Sequence, residues 1–561
     1  MTGFTGAATA PVAADLIITN ARVLTMDTDR PRAEAVAIAR GRILAVGLGA
    51  DILHLQAPGT EVIDAGGRTL LPGFVESHLH LLLGGLELDR LHLGGVRGRE
   101  ALTAAFRCYA SKHPHAPLLM AHGATYDILD HPVTRHDLDA VIADRPVAMM
   151  AADHHTVWAN TAALEAAGLL RGAETPPGHV IVMGPDGLAT GELREFEAFG
   201  PVLDLDGTGH LQLGIATGEE PDPWPDAARR AADKQIIAAG LAHCARHGIT
   251  TMVNMDGNRY TLTLLREMEE EGRLTARVVV PFHFKPHMDL SALDRASTMS
   301  ADFSGAWLRS GFVKMFMDGV LESRTAFLLQ DYANHPGERG EALFSAERFA
   351  EICKEIDRRG LQIAVHAIGD AAVRRTIDGY EAARRANGAR DSRHRIEHIE
   401  LIDTVDVPRL AANGITASLQ PSHPPGAMDF PLATMEAVMP AALWRTAYLC
   451  RTLAETGTPL AFGSDWPVAD VDVLRSLSAQ GSRGPYPAGV DERVSLMEAL
   501  RAYTAGGAWA AHLDHLTGRL TPGFAADLVL LDADIEAFAP EEYPGAGVRL
   551  TIAGGRIVYR A

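Results

Sequence analysis

Short, nearly continuous apolar runs recur through the middle of the chain, most carrying polar or ionisable residues at or near their ends. They are GFVESHLH (73–80), GITTMVNMDG (248–257), ARVVVPFHF (276–284), SGFVKMFMDG (310–319), LQIAVHAIGD (361–370), HRIEHIEL (394–401), GITASLQPSH (414–423) and TPLAFGSDWP (458–467). Unbroken apolar character suits parallel strands covered on both faces by helices. Ala/Leu/Arg/Glu-rich helical stretches lie between several of the runs, for example 341–360 and 370–388. Eight βα units predict an α/β chain folded as a (β/α)8 TIM barrel, in which chemistry collects at the C-terminal strand ends.

The two ends of the chain have a different texture. DLIITNARVLTMD (15–27), AVAIARGRILAVG (35–47) and EVIDAGGRTLLPG (61–73) read as short strands, with Arg40-Gly41 as a hairpin turn. FAADLVLLDAD (524–534) and VRLTIAGGRIVYRA (548–561) repeat that texture, with a turn at Gly554-Gly555. This predicts one β-sandwich domain built from 14–72 and 516–561, around a barrel over 73–515. Residues 1 to 13 read as a loose Ala/Gly/Thr tail. The stretch 81–247 is too long for a βα loop. It has strand-like pieces of its own at 116–123, 145–155 and 178–187, and predicts a subdomain inserted over the barrel mouth at about 84–235.

Composition narrows the function classes. The 561 residues carry a formal charge of −20 and no basic stripe, which argues against nucleic acid or an anionic membrane as partner. No apolar run is long enough to span a bilayer. The four cysteines are scattered without a C-x-x-C, so neither a disulfide scaffold nor a thiolate zinc site is expected, and a reducing, cytoplasmic setting is. There is no G-x-S-x-G, no G-x-G-x-x-G and no G-K-[ST], which removes serine hydrolases and nucleotide-binding folds.

The chemistry-bearing residues sit on the runs. His78 and His80 are two apart, so on a strand their imidazoles share a face and suit a divalent transition ion. Lys314 is a lone cation in GFVKMFM; burial lowers a lysine pKa, and a neutral amine reacts with CO2 to give a carbamate able to bridge two metals. A Lys314–Asp318 pair is the competing reading. His366, His398 and Asp465 lie at or near the ends of the fifth, sixth and eighth runs. Strand ends of a closed barrel converge, so these six residues are expected to meet.

This order of H-x-H, Lys, His, His and Asp, flanked by β segments from both termini, resembles the metal-dependent amidohydrolase superfamily. The match is closest to its amidohydrolase-3 (YtcJ-like) branch, which includes N-substituted formamide deformylase. LLPGFVESHLHL, VKMFMDGVLESRTAFL, VHAIGDAAV, RIEHIE, FGSDWPV and LTPGFAADLVLLD carry the resemblance, and ADHHTVWANTAAL resembles a lid segment of that branch. His154 departs from a usual Gly, Glu76 from a commoner Asp, and Ala371 from a commoner charged residue. The resemblance implies one or two divalent ions, zinc above others, with His78, His80 and Asp465 on the first, His366 and His398 on the second, and a carbamate on Lys314 bridging them. It also implies hydrolysis of a non-peptide C–N bond, as in an N-substituted amide or formamide, by metal-activated hydroxide, with Asp465 as the proton carrier. Candidate contacts for a small-molecule substrate are His155, Trp158, Asp318, Arg324 and His283. An esterase, lactonase or carbamate hydrolase on the same fold is the alternative, and a non-catalytic scaffold the different-class one. The sequence leaves open the substrate, the metal and whether the chain forms a homo-oligomer.

Overall fold

A computed structural model of the chain describes residues 13–152, 154–176, 179–333, 335–428, 430, 432–484 and 490–561. The tail expected at 1–13 falls outside the described residues except for residue 13, as do Asp153 of the lid-like segment and Gly178 at the start of the 178–187 piece.

The apolar runs become parallel strands paired in chain order. Phe74–Leu79 pairs with Ile249–Asn254, which pairs with Arg277–Val279, which pairs with Leu308–Arg309. A second sheet continues from Phe282–His283 through Phe312–Phe316, Gln362–Ala367, Arg395–His398 and Thr416–Leu419 to Leu460–Phe462. The third run breaks around Pro281, which has no N–H for the ladder, and the fourth is preceded by a separate short strand, Leu308–Arg309, across Ser310-Gly311. The eighth run comes back to the first: Asp465 N–H donates to the His78 carbonyl and His80 N–H to the Trp466 carbonyl, each at 2.7 Å. Gly463 is needed for this approach, because a Cβ there would lie 2.6 Å from the His78 nitrogen.

Helices between the strands bury one stripe each. In Ala346–Arg358, Phe349, Ile352, Cys353 and Ile356 face the core, and the Ser345 hydroxyl caps the first turn by accepting from Arg348 N–H at 3.2 Å.

The chain ends meet in one core. Leu16–Thr19, Ala35–Ala39, Arg42–Gly47 and Glu61–Asp64 form one sheet; Arg22–Leu24, Arg32–Ala33, Thr69–Pro72, Leu528–Leu531, Val548–Ala553 and Arg556–Arg560 form another. Ile18, Val23, Val36 and Leu70 pack there with Leu528, Leu530, Leu550 and Ile552. Both hairpin turns need two residues at positive φ, and have them: 52° and 75° at Arg40-Gly41, 54° and 77° at Gly554-Gly555. Asp527 ties this region to the third run, accepting from Arg277 Nε at 2.8 Å and Nη2 at 3.2 Å while also holding Thr517 and Gly554.

Between the first two runs a further six-stranded sheet spans Leu91–His92 to Ala189–Arg194. Its two faces bury separate clusters, one with Met120, Val157 and Leu193, the other with Leu119, Met149 and Trp158. The helix Ala227–Arg246 then leads into the second run and buries Ile237, Leu241 and Cys244. Among the described residues no helix is long and apolar enough to cross a membrane.

Candidate metal centre

Where the eighth run rejoins the first, three side chains converge. His78 Nε2 lies 3.2 Å and His80 Nε2 3.0 Å from Asp465 Oδ1. Neither contact has hydrogen-bond geometry, and that oxygen is buried without a hydrogen-bond partner. One ligand atom from each residue lies within 4.8 Å of the others. His78 Nδ1 meets Glu397 Oε2 at 2.7 Å; since an ionised carboxylate only accepts, Nδ1 is the donor here, and Nε2 is the nitrogen turned to Asp465. Burial pushes Glu397 up, but Arg395 and then His78 outweigh it and hold the carboxyl well below its usual range. Arg395 is fully buried itself, with Nε 2.8 Å from Glu397 Oε1 and Nη2 2.7 Å from the Ser77 carbonyl.

His366 and His398 complete the cluster. Their ring centroids are 4.5 Å apart, and His398 is 4.9 Å from His78. His366 Nε2 donates to the Gly319 carbonyl at 3.0 Å, and His398 Nδ1 to Gln420 Oε1 at 2.9 Å. Burial lowers both imidazoles, with Lys314 adding to the effect on His366 and His366 to that on His398; His366 falls to about 3. Both are thus neutral near pH 7, each with one unprotonated nitrogen. Asp465 is pushed up by burial, but His78 and His80 hold it well below the carboxylate range, so it is ionised. Asp465 and His398 take φ of 62° and 77°, uncommon for residues with side chains. Such backbone persists where surrounding structure over-determines it, often at functional sites.

Lys314 is buried between these groups. Burial brings its pKa down to about 8, against the opposing pull of Glu397 and Asp465. Its Nζ sits 4.9 Å from the Phe316 ring centroid. Asp318 is not its partner: both oxygens accept backbone N–H groups, Oδ1 from Ile368 and Oδ2 from Gly369 and Phe327. Asp318 therefore organises the loops beyond the fourth and fifth runs. Four imidazoles, one ionised carboxylate and a low-pKa amine, with Asp465 Oδ1 and His80 Nδ1 buried and unpartnered, form a donor set that fits divalent cations.

The expected substrate contacts divide. His283 joins the cluster, in register with Lys314 across paired strands; burial, then Lys285 and Lys314, push it well below the usual histidine value. His155 lies near enough to His366 to affect its charge, and its Nδ1 is 3.0 Å from Glu195 Oε1. Trp158 does not face the cluster. It is buried in the inserted sheet with its ring edge-on to Tyr126 at 5.2 Å. Arg324 is 41% exposed and 3.5 Å from Glu338, a loop ion pair. His154 turns its Nδ1 toward Glu87 at 3.5 Å, beside His122 at 2.7 Å from the same carboxylate. Glu76 bridges strands by accepting Ser464 N–H at 2.7 Å, and burial pushes its carboxyl up to about 8. Ala371 is buried near the Phe327 carbonyl.

Sequence reasoning passed over Glu397, Gln420 and His423. His423 stacks on His398 with centroids 6.1 Å apart, and its Nε2 lies 4.0 Å from Asp465 Oδ2. Its signal was available: it ends the seventh run as the ligand candidates end theirs.

The model of the Amidohydrolase family matches residues 61–559. The putative amidohydrolase YtcJ of Bacillus subtilis is 28% identical, over 96% of this chain and 98% of its own. The N-substituted formamide deformylase of Arthrobacter pascens is 26% identical, over 93% of this chain and 94% of its own. Among solved structures, an uncharacterised metal-dependent hydrolase from Pyrococcus furiosus superposes with a TM-score of 0.72 at 26% identity, covering 94% of this chain and 99% of that one. The chain belongs to the amidohydrolase family and is a metal-dependent hydrolase acting on carbon–nitrogen bonds.

Proposed function

We propose that the chain hydrolyses a non-peptide C–N bond of an N-substituted amide or formamide, releasing a carboxylic acid and an amine. The eight parallel runs are read as a closed (β/α)8 barrel over 73–515, the terminal segments 14–72 and 516–561 as one β-sandwich, and the stretch 84–235 as the substrate-shaping insert. In this reading His78, His80 and Asp465 hold one divalent ion, zinc first among candidates. His366 and His398 would hold a second, and Lys314, carboxylated to a carbamate, would add an oxygen donor between the two groups. Ions bound there supply a Lewis acid and lower the pKa of water towards about 7.

The remaining work falls to the chain. Asp465, ionised and facing His78 and His80, takes the proton of the attacking water and passes it to the leaving nitrogen. Glu397 and Gln420 fix the imidazoles of His78 and His398 in one tautomer. Burial of the cluster keeps bulk water from competing for these groups. His155 and His283, both near the cluster, are the proposed substrate contacts; Trp158, Asp318 and Arg324 drop out for the reasons above.

The observation that carries the reading is the meeting of two imidazole nitrogens on one unpartnered Asp465 oxygen. The test is metal analysis of the purified chain together with a panel of N-acyl and N-formyl amines, and matching esters, assayed before and after chelation. Amine release that stops on chelation and returns with Zn2+ supports the proposal. Turnover of esters alone, or amine release indifferent to chelation, overturns it.

A further inference from the structure

A second group of donor atoms lies outside that centre. His243 lies in the last turn of the helix Ala227–Arg246 and His247 caps that helix four residues on, with the two ring centroids 4.9 Å apart. Asp470, five residues beyond Asp465, approaches both rings. One nitrogen from each ring and one Asp470 oxygen lie within 4.8 Å of one another. All three residues are half-buried, so solvent and ions reach them.

What holds these groups apart is informative. Asp472 Oδ1 is 3.8 Å from His247 Nδ1, too far for a hydrogen bond. Asp470 Oδ2 pairs with Arg475 Nη1 at 2.5 Å, and Oδ1 accepts Asp472 N–H at 3.1 Å. Each oxygen keeps a further lone pair. Burial, then His247, lowers His243 to about 4, so its ring is neutral near pH 7 and no proton competes for its lone pair.

We propose that His243, His247 and Asp470 bind a divalent transition ion of the Zn2+, Ni2+, Co2+ or Cu2+ class, at a site distinct from the His78–Asp465 centre. Two imidazoles and a carboxylate match the ligand preference of these ions, and water completes the shell on the exposed side. The site has a structural consequence. His243 stacks on the Trp466 indole, with centroids 5.3 Å apart and planes at 26°. The Trp466 carbonyl accepts His80 N–H, and its ring occupies the space a Cβ on Gly84 would enter, at 2.4 Å. An ion joining the helix to Asp470 clamps the segment that carries Asp465 and Trp466 from its outer side.

The experiment titrates the desalted full-length chain with ZnCl2 by calorimetry and with CoCl2 by visible absorption. Wild type is compared with His247→Gln and Asp470→Asn. Both substitutions fall on half-buried positions and leave the His243–Trp466 stack untouched; circular dichroism checks their fold. Wild type takes up one ion per chain more than either variant, or binds that ion at least about tenfold more tightly, since even outer-shell changes cost that much. Added Zn2+ also raises the melting temperature of wild type more than that of the variants. Equal stoichiometry and affinity in wild type and either variant overturns the proposal.

Discussion

His78 and Glu397 meet through a 2.7 Å hydrogen bond between side chains that are 1% and 0% exposed and 319 positions apart in sequence. Glu397 orients the His78 ring without joining the donor atoms itself. Glu397→Gln is expected to lower metal affinity by about 10–100-fold while the chain stays folded. Competition with a chromophoric chelator measures it; unchanged affinity removes Glu397 from this role.

Asp465 combines ion binding with proton transfer. Asp465→Asn keeps the side-chain volume and removes the base. With metal restored by excess Zn2+, kcat is expected to fall about 10²–10⁴-fold with the far-UV circular dichroism unchanged. Near-normal kcat in this variant contradicts the assignment.

His155 and Trp158 lie three positions apart, yet they predict opposite phenotypes. Trp158 fills the inserted sheet's core, so Trp158→Ala is expected to cost about 3–5 kcal/mol in that region's stability, read as earlier proteolysis or melting. His155 is 27% exposed and near His366. His155→Ala is expected to leave stability within about 0.5 kcal/mol and to change KM or kcat instead. Reversal of the two phenotypes refutes both placements.

Arg277 and Asp527 are 4% and 0% exposed and join the third run to the terminal β segments. Removing one partner strands a buried charge, so Asp527→Ala is expected to cost about 3–5 kcal/mol. A paired Arg277→Met, Asp527→Leu change is expected to recover part of that loss. Urea denaturation of the three chains measures it.

Asp357 supplies a pH test away from the metal centre. Burial raises its carboxyl, but His394, then Asn387 and Arg390, outweigh burial and hold it well below the usual value. A folded-state pKa below the unfolded one stabilises the native chain above the unfolded pKa of about 3.9, and the benefit fades as pH falls through the folded value. Asp357→Asn is therefore expected to destabilise clearly at pH 7, with the gap to wild type narrowing steadily below about pH 4. A gap that is constant from pH 7 to pH 3 contradicts this.

The residues of the H-x-H, of Lys314, His366, His398 and Asp465 were legible from one dimension. Strand periodicity places His78 and His80 together by local geometry alone, and an ionisable residue closing an apolar run marks a strand end wherever the strand sits. The hairpins at Arg40-Gly41 and Gly554-Gly555 were local for the same reason: a two-residue turn at positive φ is encoded in the turn itself.

Other features depended on packing between distant segments. Trp158 alternates with Val157 and Ala159 along its strand, but both faces of that sheet are buried in cores of the insert, so alternation could not say what the indole packs against. Asp318 lies four residues beyond Lys314 yet is taken up by N–H groups from loops 9 to 51 positions away. His423 and Glu397 meet Asp465 and His78 only once the sixth and seventh runs are brought together with the first and eighth. The sequence alone determined which side chains end up at strand ends, because that is a property of neighbours along the chain. Only the tertiary structure decided which nitrogen faces which oxygen, because that is set by strand order and register between residues hundreds of positions apart.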